Sequence, residues 1–156
     1  MFIIYNFFLF LIILISPIII LIRIFLGKED QNRFKEKFGF LANNNKPHET
    51  IWIHGASVGE ILSIIPIIRN LEKNKKVKKI LITSSNTSSS HILSKFSFKK
   101  TVHQFYPFDL NFLTKNFINH WKPKLAIFVD SEIWPNMFNN LHKKNIPLIL
   151  LNARIT

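Results

Sequence analysis

The chain has no cysteine. That excludes a disulfide framework, thiolate chemistry and any zinc site built on cysteine, and it fits a reducing compartment. Acidic residues are scarce: nine Asp and Glu stand against 21 Lys and Arg, giving a formal net charge of +12. Charge of either sign is missing altogether from residues 1–22, so all of it falls on the rest. Neither an internal repeat nor a disordered tail is visible. The hydroxyl-rich run Ser84–Ser90 lacks the Walker pattern and its lysine, so it is not read as a nucleotide site. No spacing of His, Asp and Glu suggests a metal, and no cofactor is expected. So basic a surface suits an anionic partner such as phospholipid headgroups. A compositional bias toward Lys, Asn, Ile and Phe accounts for the charge equally well.

Phe2 to Ile22 is an uncharged apolar run softened by Tyr5, Asn6 and Ser16 and interrupted by Pro17. A helix of that length rises about 30 Å, one hydrocarbon core. A cleaved signal peptide would want a basic start and a small-residue cleavage site; the run has neither, which favours an uncleaved single-pass anchor. Arg23, Lys28, Arg33, Lys35 and Lys37 follow it closely. By the positive-inside rule that flank is cytoplasmic, with the N-terminus outside. Residues 28–39 read as a short basic helix against anionic headgroups, or as a solvated linker. The division expected is an anchor over 1–27, a basic juxtamembrane segment over 28–49 and an α/β domain over 50–156.

Within that domain strands and helices alternate. Ile51–His54, Lys79–Thr83, Val102–Tyr106, Leu125–Val129 and Leu148–Leu151 read as short buried strands. Helices are expected over Val58 to about Lys73, His91–Phe96, Leu110 to about His120 and Met137–Lys144. Pro66 predicts a kink in the first of them, and Asp109 reads as the N-cap of the third. The alternation argues for a Rossmann-like, doubly wound parallel sheet. In such sheets ligands bind beyond the carboxyl ends of the strands. The strand-to-helix turn His54–Glu60, HGASVGE, stands at one such end and puts a carboxylate, Glu60, at a helix N-terminus. Glu60 either complements the helix dipole or serves as a base. Gly55 and Gly59 read as backbone devices for a tight turn and close substrate approach. Ser57 reads as a helix cap or a donor to substrate. Glu132, after the fourth strand, should converge on the same edge. Arg154 is a candidate for bidentate phosphate binding, or pairs with Asp130 or Glu132. His54, His103 and Trp134 either touch substrate or are buried with a satisfied hydrogen bond.

HGASVGE, QFYPFDL (Gln104–Leu110), the Pro123–Asn136 block ending SEIWPN, and NARIT (Asn152–Thr156) occur in one order. That order and spacing resemble the N-terminal half of the bacterial 3-deoxy-D-manno-octulosonic acid (Kdo) transferases of lipopolysaccharide assembly. RFKEKFG (Arg33–Gly39) after an apolar start is similar too. The resemblance implies one half of a two-domain GT-B glycosyltransferase. It implies a lipid A precursor as acceptor on this half, at the inner membrane, and CMP-Kdo as donor on a C-terminal domain absent from this chain. A separate donor-domain polypeptide would then be needed. It implies Glu60 as general base in an inverting, metal-free transfer, Glu132 as a second functional acid, and no nucleic-acid partner. The family pattern usually has glutamate where Asp130 stands. The competing expectation is a truncated, non-catalytic membrane-anchored remnant that at most binds anionic lipid.

Overall fold

The computed structural model describes residues 2–40, 49–130 and 132–152. After the N-terminal helix α1 (Phe2–Phe25) and a short 3-10 helix (Phe34–Phe38) come β1 (Thr50–His54), α2 (Val58–Lys73), β2 (Lys79–Ser84) and α3 (Thr87–Ser94). β3 (Thr101–Phe105), α4 (Asn111–Trp121), β4 (Pro123–Val129), α5 (Pro135–Lys143) and β5 (Leu148–Leu151) complete the order. The five strands form one sheet in the order β3-β2-β1-β4-β5, and every pairing is parallel. The chain therefore winds outward from β1 to one edge, then returns to β4 on its other side. The β1/β4 boundary is the switch point at which the carboxyl ends of a doubly wound sheet open a crevice.

Side chains alternate across the strands because the strand period is two. Ile53, Ile80, Ile82, Ile127 and Val129 face α2 and α3, packing with Ile61, Ile64, Ile65 and Ile68. Trp52, Leu81, Ala126 and Phe128 face the other way, onto Phe117, Ile118 and Trp121 of α4 and Met137 and Leu141 of α5. One layer is aliphatic and the other is largely aromatic. The helix α2 has the expected bounds and runs on through Pro66, whose side chain lies on the exposed face.

Three expectations need correcting. The helix expected over His91–Phe96 starts four residues earlier, because Asn86 caps it: its side chain accepts a hydrogen bond from the Ser89 N–H. The hydroxyl-rich run is thus mostly the first turns of α3. Asp109 does not cap α4, whose N-cap residue, Leu110, makes no side-chain cap bond. Residues 28–39 are not one continuous helix. They are turns and a 3-10 helix folded onto the outer edge of the sheet. Arg33 forks onto Glu36 at 2.7 and 3.0 Å, and Glu36, only 6% exposed, accepts the Phe105 N–H at 2.7 Å. A glutamate thereby covers a backbone donor on an edge strand, where an open edge invites pairing with another chain. Lys37 and Arg23 both pair with buried Glu29. Three of the five flanking cations are thus used inside the protein.

Candidate active site

Two carboxylates stand at the carboxyl edge of the sheet, one on each side of the switch point. The first is set by local sequence. Ser57 is the N-cap of α2, and its Oγ accepts the Glu60 N–H at 3.3 Å. The Glu60 carboxylate turns back, accepting from the Ser57 hydroxyl at 2.6 Å and from the Ala56 N–H at 2.8 Å. This is a variant of the capping box: the serine satisfies a first-turn donor, and the glutamate three residues on reaches back to the N–H just before the cap. Each carboxylate oxygen has two lone pairs, so both can still accept from a ligand. The capping reading of Ser57 and the dipole reading of Glu60 hold together, and neither uses up the carboxylate.

The two glycines of the turn differ. A Cβ on buried Gly55 would lie 3.2 Å from the Glu60 Cβ and 3.3 Å from the Ile61 Cδ1, so the absence of a side chain lets α2 start close against β1. Gly59 has no positive φ, and a Cβ there would meet only the Ser57 Oγ, at 4.0 Å. The backbone therefore does not require Gly59. Its effect is to leave open space above the helix terminus.

The second carboxylate is set by one near residue and one distant one. Glu132 accepts from the Trp134 indole N–H at 3.0 Å, and its Oε2 lies 3.8 Å from Nε2 of fully buried His54. The His54 ring and the Trp134 N–H hold the Glu132 carboxyl below the usual carboxylate range. Burial lowers the His54 pKa, outweighing the carboxylates Glu132 and Glu60, whose charges both reach the ring. His54 is therefore neutral near pH 7. The Trp52 Nε1–H can only donate, and it donates to the Thr83 hydroxyl at 2.9 Å. That hydroxyl also meets His54 Nδ1 at 2.9 Å. The other ring nitrogen, Nε2, faces Glu132 and has no partner within hydrogen-bond range.

The loop carrying Glu132 leads into α5, whose first turn is bound by Asp109. That carboxylate accepts the Asn136 and Met137 N–H groups at 2.9 and 2.8 Å and the Tyr5 hydroxyl of α1 at 2.8 Å. Asp109 is a helix cap as expected, but for a helix 26 residues further on. Burial raises its pKa, against the donors that favour the charged form. Beside this loop is a cavity of about 160 Å³ lined by Lys37, Ser85, Tyr106, Pro107, Phe108 and Trp134. The Tyr106 hydroxyl is buried without a hydrogen-bond partner. A larger cavity, about 370 Å³, lies at the amino end of β4 among Ile118, Lys122, Pro123 and Lys144, on the wrong edge for either carboxylate.

Of the residues singled out from sequence, Glu60, Ser57, Gly55 and Gly59 share one turn. Glu132, His54 and Trp134 form the facing corner. His103 lies elsewhere: Arg33 donates to its Nδ1 at 3.0 Å, and its Nε2 meets the Ser84 hydroxyl at 2.8 Å. Arg154 lies outside the described residues. Thr83, Tyr106 and the true role of Asp109 escaped the sequence reading. Tyr106 and Asp109 both stand in the QFYPFDL segment, but nothing local shows what they touch.

The family model for 3-deoxy-D-manno-octulosonic-acid transferase matches residues 32–156. The 3-deoxy-D-manno-octulosonic acid transferase of Rickettsia bellii is 41% identical over 152 residues, covering 97% of this chain and 36% of that protein. The one from Haemophilus influenzae is 35% identical over 128 residues, covering 81% of this chain and 30% of that protein. The one from Rickettsia prowazekii is 32% identical over 189 residues, covering 94% and 41% respectively. The chain thus spans between 30% and 41% of the length of these relatives. The match takes in both carboxylate corners and the folded-back segment from Asn32 onward, and the chain belongs to the 3-deoxy-D-manno-octulosonic-acid transferase family.

Proposed function

We propose that this chain is the acceptor-binding half of a Kdo transferase of lipopolysaccharide biosynthesis. It would hold a lipid A precursor such as lipid IVA while a second domain presents CMP-Kdo. The observation that carries this reading is the pair Glu60 and Glu132 at the carboxyl edge of a doubly wound sheet, in a chain of this family. Glu60 takes the proton of the acceptor hydroxyl. The oxygen so freed attacks the anomeric carbon of Kdo. A new C–O bond forms, the bond to the CMP phosphate oxygen breaks with its electron pair, and configuration inverts. Glu132, kept anionic by Trp134 and His54, supplies a fixed negative charge across the crevice from that base. Arg154 is a candidate for a phosphate of the substrate. Gly59 leaves room for the acceptor at the helix terminus, where the α2 dipole favours an anionic or polarised group. The apolar helix α1 anchors the half-enzyme at the bacterial inner membrane, with the domain on the cytoplasmic side.

The GT-B arrangement places the donor on the opposite domain, so the reading predicts that residues 1–156 transfer Kdo only when a donor domain is supplied. The test is transfer of labelled Kdo, with CMP-Kdo made in situ, to a lipid A precursor by membranes containing this chain. It is run with and without a co-expressed donor domain from a relative. Transfer only with the donor domain, abolished in Glu60→Gln, is the expected result. No transfer in either case sinks the reading and leaves a non-catalytic anchored domain.

A further inference from the structure

The helix α1 is long and apolar enough to cross a membrane, and its apolar faces are almost wholly exposed. Hydropathy alone therefore expects a simple crossing. The few polar side chains of the helix indicate a different arrangement. Tyr5 donates to Asp109 at 2.8 Å, and Asn6 accepts from the Asn136 side chain at 2.7 Å. At the other end of the helix Arg23 pairs with Glu29, which also binds Lys37. Lys37 in turn accepts the Phe108 N–H through its carbonyl, next to Asp109. Both ends of one helix are thus tied to one face of one domain.

Between those ends Leu9, Ile13, Ser16, Ile20 and Ile24 are the least exposed side chains of the helix, with Ser16 and Ile20 at 3% and 5%. Their spacing of three or four is one helical stripe, and that stripe is covered by the rest of the chain. The remaining faces carry Ile4, Phe7, Leu11, Ile15, Ile18 and Ile22, between 40% and 63% exposed. Such a surface calls for lipid, not water.

Docking and crossing exclude one another. Tyr5 and Arg23 are 18 residues apart, about 27 Å along a helix axis. If Arg23 sat at the cytoplasmic surface of a crossing helix, Tyr5 would lie near the far side of a hydrocarbon core of about 30 Å. Asp109 and Asn136, both almost fully buried in the domain, could not reach it. A helix about 10 Å across does fit within one leaflet.

We infer that α1 lies along the domain within the cytoplasmic leaflet of a phospholipid bilayer, its covered stripe on the domain and its outward apolar faces in lipid. This goes beyond the anchoring role above by fixing the helix direction. It seats the membrane surface beside Asp109 and α5, the elements that hold the Glu132 loop. An acceptor drawn from that leaflet would meet the crevice at the bilayer surface.

The absence of native cysteine makes the test direct. A single cysteine inserted after Met1 in the full chain is probed with a membrane-impermeant maleimide, in spheroplasts and in inverted inner-membrane vesicles. Label in inverted vesicles and none in spheroplasts is expected; label in spheroplasts means a crossing helix and overturns the inference. If neither preparation labels, oxidation of an Asn6→Cys/Asn136→Cys pair in native membranes decides. A bridge supports docking and its absence overturns it. Recovery of the chain as a soluble protein would overturn both this inference and the anchoring role, whereas a membrane-bound chain labelled from outside overturns only the inference. No substrate is involved, so the result is separate from catalysis.

Discussion

The two carboxylate corners sit on one sheet edge and are held in opposite ways. Glu60 is fixed by residues three and four positions before it, through a serine cap and one backbone donor. Glu132 has one near partner, the Trp134 indole N–H two residues on, but its surroundings gather the whole fold: His54 from β1, Thr83 from β2 behind it, and Asp109 holding the helix that follows. A carboxylate held by a local motif survives wherever a strand-turn-helix forms. One held largely by tertiary contacts reports whether the domain has closed around it. Damage to distant packing should therefore reach Glu132 first and leave the Glu60 turn in place.

The largest blow to the second corner is Asp109→Ala. It strips two buried N–H groups at the start of α5 and the Tyr5 hydroxyl of their acceptor, at about 1–3 kcal/mol for each group left unmade. Chemical denaturation of the full chain in detergent should show a loss of about 3 kcal/mol. A loss below about 0.5 kcal/mol would mean that α5 does not depend on Asp109.

Acid should act next, through two histidines held neutral. Burial lowers His54, and burial together with the Arg33 guanidinium lowers His103 to about 3. Both native-state values lie below the unfolded one, so the unfolded chain binds more protons as pH falls. Stability from these groups is present above about pH 6.5 and is lost progressively below it, down toward pH 3 for His103. Each histidine contributes up to about 1.4 kcal/mol per pH unit in that window. Denaturation at pH 7 and pH 5 should show the loss, and His103→Asn should make it shallower. An unchanged slope in that variant would remove His103 from the account.

Ser57→Ala tests the local corner with a smaller effect, about 1 kcal/mol, the usual cost of losing such a cap. Because Glu60 then loses one donor and α2 loses its cap, transfer in the assay with an added donor domain should fall without any change at α5. Amide exchange confined to the start of α2 would show that confinement; protection lost in α5 as well would break the contrast between the corners. Gly59→Ala has the smallest effect. It adds a side chain into open space on a helix, so stability should be unchanged or rise by up to about 1 kcal/mol. A drop in transfer at unchanged stability would assign Gly59 to substrate clearance.

The same contrast explains what could be read from sequence. The five strands, α2 and the Ser57–Glu60 corner were legible because each is signalled within a few residues, by β-branched runs or by a serine three positions before a glutamate. Asp109 was legible as a cap but not as to which helix it caps, since its partners lie 27 and 28 residues away. Arg33 looked like a lipid-facing cation although Glu36 stands only three residues on, because its other partners, Ser90 and His103, lie 57 and 70 residues off. Charge pattern shows a cation and a glutamate three residues on; only the fold shows that the two are paired and that the His103 carbonyl holds the same guanidinium. Tyr5, Asn6 and Ser16 were visible as blemishes on an apolar run, without any sign that two of them bind the domain.

Gly55 has a consequence of its own. The spacing between β1 and Glu60 depends on atoms that are missing: the smallest side chain would press on the Cβ of Glu60 itself at 3.2 Å. A methyl group here would have to push the start of α2, and the carboxylate it carries, outward by a few tenths of an ångström. Change at this position would therefore act on the reach of Glu60 directly.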